Sequence, residues 1–340
     1  MKKHSNLFIL LLILAVFGGI GLGAQERIVI GGRSSMMLAD SVYLFPDAEK
    51  KIVAYARGDQ GLGNFITAID PNFKNSVWFD RNAGAEVYAS FKPDLVILKS
   101  SMMSQLKAPL DALGIRQLYL TLETPEQYYE DIGALGKVLG DERRGAEVVS
   151  WFASHEAKIV ARTSKLGATQ KPRVLVARIS TSGEASWQVP PDSWIQTIMV
   201  ERAGGQAVWK DANPGSGWAT VTLEQIAAWN PDYVFIIDYR ENSSKGAEAF
   251  RKDGRFASLK AVKSNAVFGF PQDFYSWDQP DTRWILGFTW LATRIHPELF
   301  ADISVAQTTR DFFSFMYGLD ESAFRTLILP KIQGDLGEQF

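Results

Sequence analysis

Short apolar runs recur along the chain, each bounded by glycine, proline or charged residues. "RIVIGG" (27–32), "KIVAYAR" (51–57), "DLVIL" (94–98) and "QLYLTL" (117–122) have the length and composition of buried strands. The last two are preceded by "AEVYASF" (85–91) and "SQLKAPLDALG" (104–114), which read as helices. The second half starts the series again with "RVLVARI" (173–179), "DYVFIID" (232–238) and "AVFGF" (266–270). Strands alternating with helices imply parallel sheets covered on both faces. Two such series imply two α/β lobes.

Between the series lies "DERRGAEVVSWFASHEAKIVARTSKLG" (141–167), which contains no proline. Asp141 can cap its start, Val149, Phe152 and Ile159 fall roughly on one face, and Gly167 can end it. It predicts one long helix bridging the lobes; the alternative is a crossover helix inside a single large domain. A duplicated phrase favours the bridge. "AEVYASFKPDLVIL" (85–98) and "LEQIAAWNPDYVFI" (223–236) share Glu, Ala, Pro, Asp and Val at matching places. In the second copy Thr222 and Gln225 can form a capping box, which puts Glu224 in a helical first turn where its charge suits the dipole. Glu86 stands equivalently in the first copy. Either glutamate alone could be ordinary helix chemistry, but the matched pair suggests symmetric contacts with a symmetric partner. The expected division is 1–24, 25–140, 141–167 and 168–340.

The chain has 340 residues, 46% of them hydrophobic, enough for two cores of roughly 120–150 residues each. Its formal charge of −2 and lack of a basic stripe argue against nucleic acid. Lys2 and Lys3, then "LFILLLILAVF", then "GGIGLGA" follow the order of a secretory signal peptide cut after Ala24. An uncleaved anchor is the alternative, but the strongly apolar part is shorter than the ~20 residues of a spanning helix. There is no cysteine, hence none at a mature N-terminus to carry a lipid. These features point to a soluble periplasmic protein.

The chain resembles a class III periplasmic substrate-binding protein of an ABC importer, the group of iron–siderophore, haem and cobalamin binders with molybdate- and tungstate-binding relatives. The resemblance rests on the paired E-x6-P-D phrase, the long connecting helix, "GSGWATVTLEQIAAWNPDYVFI" (215–236), "FYSWDQPDTRWILGFTWLATRIHPE" (274–298) and the closing "DFFSFMYGLDESAFRTLI" (311–328). It implies an α/β fold of two Rossmann-like lobes with parallel sheets joined by a single long α-helix. It also implies that Glu86 and Glu224 dock onto arginines of the permease dimer in the inner membrane. The expected ligand is a ferric siderophore or similar iron complex held between the lobes; the alternative is an oxoanion such as molybdate or tungstate. A monomer without a resident cofactor is expected.

In such folds ligands sit beyond the C-terminal ends of the strands. The loops there are "GGRSSMM" (31–37), "KSSMM" (99–103), "RISTSGEASW" (178–187), "DYR" (238–240) and "QDFYSWDQPDTR" (272–283). They offer Arg33, Ser34, Ser35, Met36, Ser100, Ser101, Arg178, Trp187, Tyr239, Arg240, Tyr275, Trp277 and Arg283. Arginine forks with hydroxyls suit an anion or anionic chelate, and aromatic faces suit an organic one. Other readings stay open: Arg283 paired with Asp278 or Asp281, Trp277 as core filling, Asp278 as a cap, and the "IVIGG" glycines as a plain turn rather than the opening of an anion-facing helix. Three histidines and no cysteine, with no His/Cys cluster, speak against a bare transition metal. No dinucleotide fingerprint, Walker A, G-x-S-x-G or H-E-x-x-H motif is present, so an enzyme is disfavoured, though carboxylate or serine chemistry stays open. A sensor that presents its ligand to a membrane receptor would share every feature except the permease contact.

Overall fold

A computed structural model describes residues 26–58, 62–180 and 186–336. The expected signal peptide at 1–24 and the middle of "RISTSGEASW" lie outside the described residues. The first lobe runs β1 (Ile28–Ile30), α1 (Ser35–Val42), β2 (Ile52–Ala56), α2 (Phe65–Ile69), β3 (Trp78–Phe79), α3 (Ala85–Ser90), β4 (Leu95–Lys99), α4 (Met103–Ala112), β5 (Gln117–Leu120) and α5 (Pro125–Leu139). Its sheet has the order β3-β2-β1-β4-β5 and every pairing is parallel. The sheet turns to the other side at β1, so the loops after β1 and β4 diverge and leave a crevice at the strand ends.

Helix α6 (Glu142–Thr163) then bridges to the second lobe. Its 22 residues span about 33 Å. The Asp141 carboxylate accepts from the Arg144 amide at 2.9 Å, as an N-cap should. Val148, Phe152 and Ile159 form its buried stripe, and it ends at Thr163, before Gly167.

The second lobe comprises β6 (Arg173–Ile179), β7 (Trp187–Val189), α7 (Ile195–Arg202), β8 (Gln206–Ala207), β9 (Ala219–Val221), α8 (Leu223–Trp229), β10 (Tyr233–Ile237), α9 (Ser243–Lys252), α10 (Lys260–Lys263), β11 (Val267–Gly269), α11 (Trp284–Ile295) and α12 (Val305–Tyr317). Its sheet is mixed, not parallel as the strand–helix alternation implied. The order is β11-β10-β6-β7-β9, with β8 also beside β6. Strands β6, β10, β11 and β8 are parallel neighbours, whereas β7 lies antiparallel to both β6 and β9. Only residues 180–186 separate β6 from β7, and a parallel neighbour would need a crossover of a dozen or more.

Helix α12, the last of these elements, closes against the first lobe. Phe313 and Tyr317 pack on Phe65 at 5.7 and 4.6 Å between ring centres. Arg144, at the start of α6, donates to the carbonyls of Phe315 and Met316. Among the described residues no helix is long and apolar enough to cross a membrane.

Candidate functional site

The loops beyond the C-terminal ends of the two sheets meet. The Leu62 amide, after β2, donates to the Phe274 carbonyl, after β11, at 2.7 Å. Phe65 and Phe274 pack at 5.9 Å. Around this seam the predicted residues divide into those that face the crevice and those sealed beneath it.

On the first lobe, Arg33 is exposed and Ser34 is half-exposed. Ser34 caps α1 in the left-handed region at φ 59°, without a side-chain cap bond. The Met37 amide donates to the Ser34 carbonyl at 3.1 Å, so only the amides of Ser35 and Met36 precede the first helical bond. Gly32 makes this turn at φ +72°, and a Cβ on Gly31 would lie only 2.3 Å from the Tyr88 ring. Ser35 and Met36 are buried: the Ser35 hydroxyl donates to the Ala56 carbonyl at 2.8 Å, and Met36 sulfur accepts from Asn64 at 3.2 Å. Ser100 shares a 2.7 Å hydrogen bond with Thr121, while Ser101 is exposed.

On the second lobe, the Arg178 guanidinium stacks over Trp218 at 4.5 Å and lies 5.6 Å from the Tyr239 ring centre. It also donates to the Gln188 amide oxygen, and its Nε has no partner. Burial draws its pKa downward, the mark of a cation partly stripped of water. The Tyr239 hydroxyl donates to Asp278 at 2.7 Å, as does the Gln196 amide at 3.0 Å and the Ser276 hydroxyl at 2.5 Å. Burial raises the Asp278 carboxyl, and these three donors oppose the rise. Asp278 is thus an internal anchor for Tyr239.

Three predicted ligand contacts are sealed in the core. Arg283 is fully buried, its Nε donating to Asp273 at 2.7 Å and its Nη1 to Asp40 at 2.6 Å. Its backbone amide binds Asp281, but neither Asp278 nor Asp281 is its side-chain partner. Tyr275 is fully buried with the Arg283 guanidinium 5.0 Å from its ring centre. Trp277 is fully buried and donates to Asp273 at 3.3 Å; α11 comes so close that a Cβ on Gly287 would stand 2.2 Å from the Trp277 carbonyl oxygen. In a chain of buried aromatics and charges, the loop "QDFYSWDQPDTR" serves the joint between lobes. Trp187 likewise turns from the crevice, packing edge-on against Phe250 and Phe256.

Two residues outside the predicted set stand beside its members at the strand ends. Arg57 follows β2 and is exposed; Trp218 supplies the surface under Arg178. Arg57 was visible as the charged end of a strand, and Trp218 as the aromatic within "GSGWATV". Arg33, Arg57, Arg178 and Arg240 all lie at C-terminal strand ends, and none forms an ion pair with a described residue. No group of three or more His, Cys, Asp or Glu among the described residues could hold a metal ion.

Glu86 and Glu224 occupy equivalent places, each the second residue of its helix, α3 or α8, and each exposed. The second copy has the full capping box between Thr222 and Gln225; the first has Gly84 at the cap and no side-chain bond.

A sequence profile described as "Periplasmic binding protein" matches residues 76–274, more than half of the chain. The chain belongs to the periplasmic binding protein family. It is a periplasmic solute-binding component of an ABC transporter. It is 23% identical over 297 residues to the molybdate-binding protein MolA of Haemophilus influenzae, covering 80% of this chain and 81% of that one. It is also 23% identical over 310 residues to the iron(3+)-hydroxamate-binding protein FhuD of Bacillus subtilis, covering 82% and 93%. A periplasmic solute-binding protein of Veillonella parvula shares the fold at a TM-score of 0.70 and 24% identity, covering 89% of this chain and 92% of its own. These relatives are solute-binding proteins rather than enzymes.

Proposed function

We propose that this periplasmic binding protein captures an anionic ferric chelate, of the carboxylate-bearing siderophore or citrate type, in the crevice between its lobes. The observation that carries the reading is the set of four arginines, Arg33 and Arg57 on one side and Arg178 and Arg240 on the other, which form no ion pair among the described residues. Unpaired guanidinium groups bind carboxylates in bidentate fashion. Four such charges match a ligand carrying several negative charges better than they match a dianion. Trp218 and Tyr239 add a flat surface for the organic part. A second reading, a molybdate- or tungstate-type oxoanion, is favoured by the likeness to MolA and by the loss of Tyr275 and Trp277 as crevice walls.

A thermal-shift panel of ferric citrate, ferric hydroxamates, haem, cobalamin, molybdate and tungstate tests this, since a ligand at 100 times its dissociation constant stabilises by about 2.7 kcal/mol. A shift with tungstate and none with any chelate would sink the chelate reading. Glu86 and Glu224 would then present the loaded protein to the two permease subunits, and residues 1–24 would be removed on export. A precursor and a mature protein of equal mass in periplasmic extracts would refute cleavage.

A further inference from the structure

Beneath the crevice, seven titratable groups from four segments converge. Asp40 comes from α1, Tyr128 from α5, Tyr317 from α12, and Asp273, Tyr275, Asp281 and Arg283 from the loop ahead of α11 and its cap. Six of them are buried and Tyr317 is half-buried; the four charged groups are at 0% or 1% exposure. The arrangement crosses the boundary between lobes: Arg283 reaches from the second to Asp40 on the first, while the Tyr317 hydroxyl donates to the Asp40 carbonyl at 3.3 Å. Three carboxyls thus surround one guanidinium. Asp273 takes its Nε, Asp40 takes its Nη1, and Asp281 touches only the Arg283 backbone amide. Asp40 Oδ1, Asp281 Oδ2, Arg283 Nη2 and the hydroxyls of Tyr128 and Tyr275 have no hydrogen-bond partner among the described residues.

We propose that this cluster is a proton-dependent latch between the lobes, closed when Asp40 and Asp281 are neutral and loosened when both ionise. With both protonated, Arg283 and Asp273 balance one another and the joint carries no net charge. With both ionised it holds two uncompensated negative charges on fully buried carboxyls, a cost that separation of the lobes relieves. Burial pushes the Asp40 carboxyl up to about 7, against the opposing pull of Arg283. Burial likewise pushes Asp281 up to about 8. The switch therefore falls in the range a periplasmic protein meets. It does not depend on which ligand the crevice takes.

Because the chain has no cysteine, spin labels can be placed without background. Asn82→Cys on the first lobe and Lys245→Cys on the second are both exposed positions outside the cluster and the crevice arginines. The label-to-label distance distribution, measured without ligand, should be narrow at pH 6 and shift to longer distances at pH 8.5. Adding Asp281→Asn, which mimics the neutral carboxyl, should abolish or sharply reduce that shift. Identical distributions at the two pH values in the otherwise unaltered protein would overturn the latch. So would an Asp281→Asn protein that opens as far as the parent.

Discussion

Arg283 shows how a residue's chemistry and its role can part. An arginine in a loop at strand ends has the signature of an anion grip, yet here two aspartates already occupy it, one from each lobe. Its replacement therefore belongs to stability. Arg283→Ala should cost roughly 3–5 kcal/mol, because it strands buried carboxyls without their cation; urea unfolding of the variant would check this. Arg178 has the opposite character, half-buried and stacked, with no ion pair among the described residues. Arg178→Ala should weaken the ligand identified by the thermal panel by about 1.5–3 kcal/mol, the scale of a charged hydrogen bond. Calorimetric titration reads that loss, and unchanged affinity would remove Arg178 from the site. The sequence could not separate the two arginines. The difference lies in Asp40, which stands far from Arg283 along the chain (|i−j| = 243) and has no local signature.

Elements were far more legible than side chains. Strands β1, β2, β5, β6, β10 and β11 fall within the apolar runs, β4 overruns its run by one residue, and α6 falls within its predicted span, because burial on both faces leaves a continuous apolar signal. Strands β3, β7, β8 and β9 were missed; they are two or three residues long, too short for any periodicity. The duplicated phrase was legible because a cap, a helix and a strand follow one another in fixed order. Two predictions belong at this scale. Thr222→Ala removes the side chain that accepts from the Gln225 amide at 3.1 Å and should lower stability by ~1 kcal/mol. Glu86→Ala with Glu224→Ala should leave ligand affinity nearly unchanged while weakening the permease complex, most clearly at low salt. Wild-type uptake by that double variant would dismiss the docking role.

For the whole molecule, pH should act through the sealed carboxyls. Asp40 and Asp281 keep their protons in the folded state well above the ~3.9 of an unfolded aspartate. Their stabilising contribution is complete below that value and is lost as pH rises through about 7 to 8. The melting temperature should thus be lower at pH 8.5 than at pH 5.5, with a shallower dependence in Asp281→Asn. The exposed Asp302, held down to about 2 by Arg162, is ionised throughout that range and adds no slope. Helix α12 carries a different consequence, one for the order of assembly. Its Tyr317 closes on Asp40 across 277 positions of sequence, and Met316 on Arg144 across 172. Loop closure on that scale must precede any gain from the contacts, so the chain should fold slowly for its size. A ribosome delivers the first lobe's strands long before the helix that completes its pocket around Phe65. Until the last turn of α12 arrives, that lobe is an unfinished core, and the protein becomes whole only from its C-terminal end backwards.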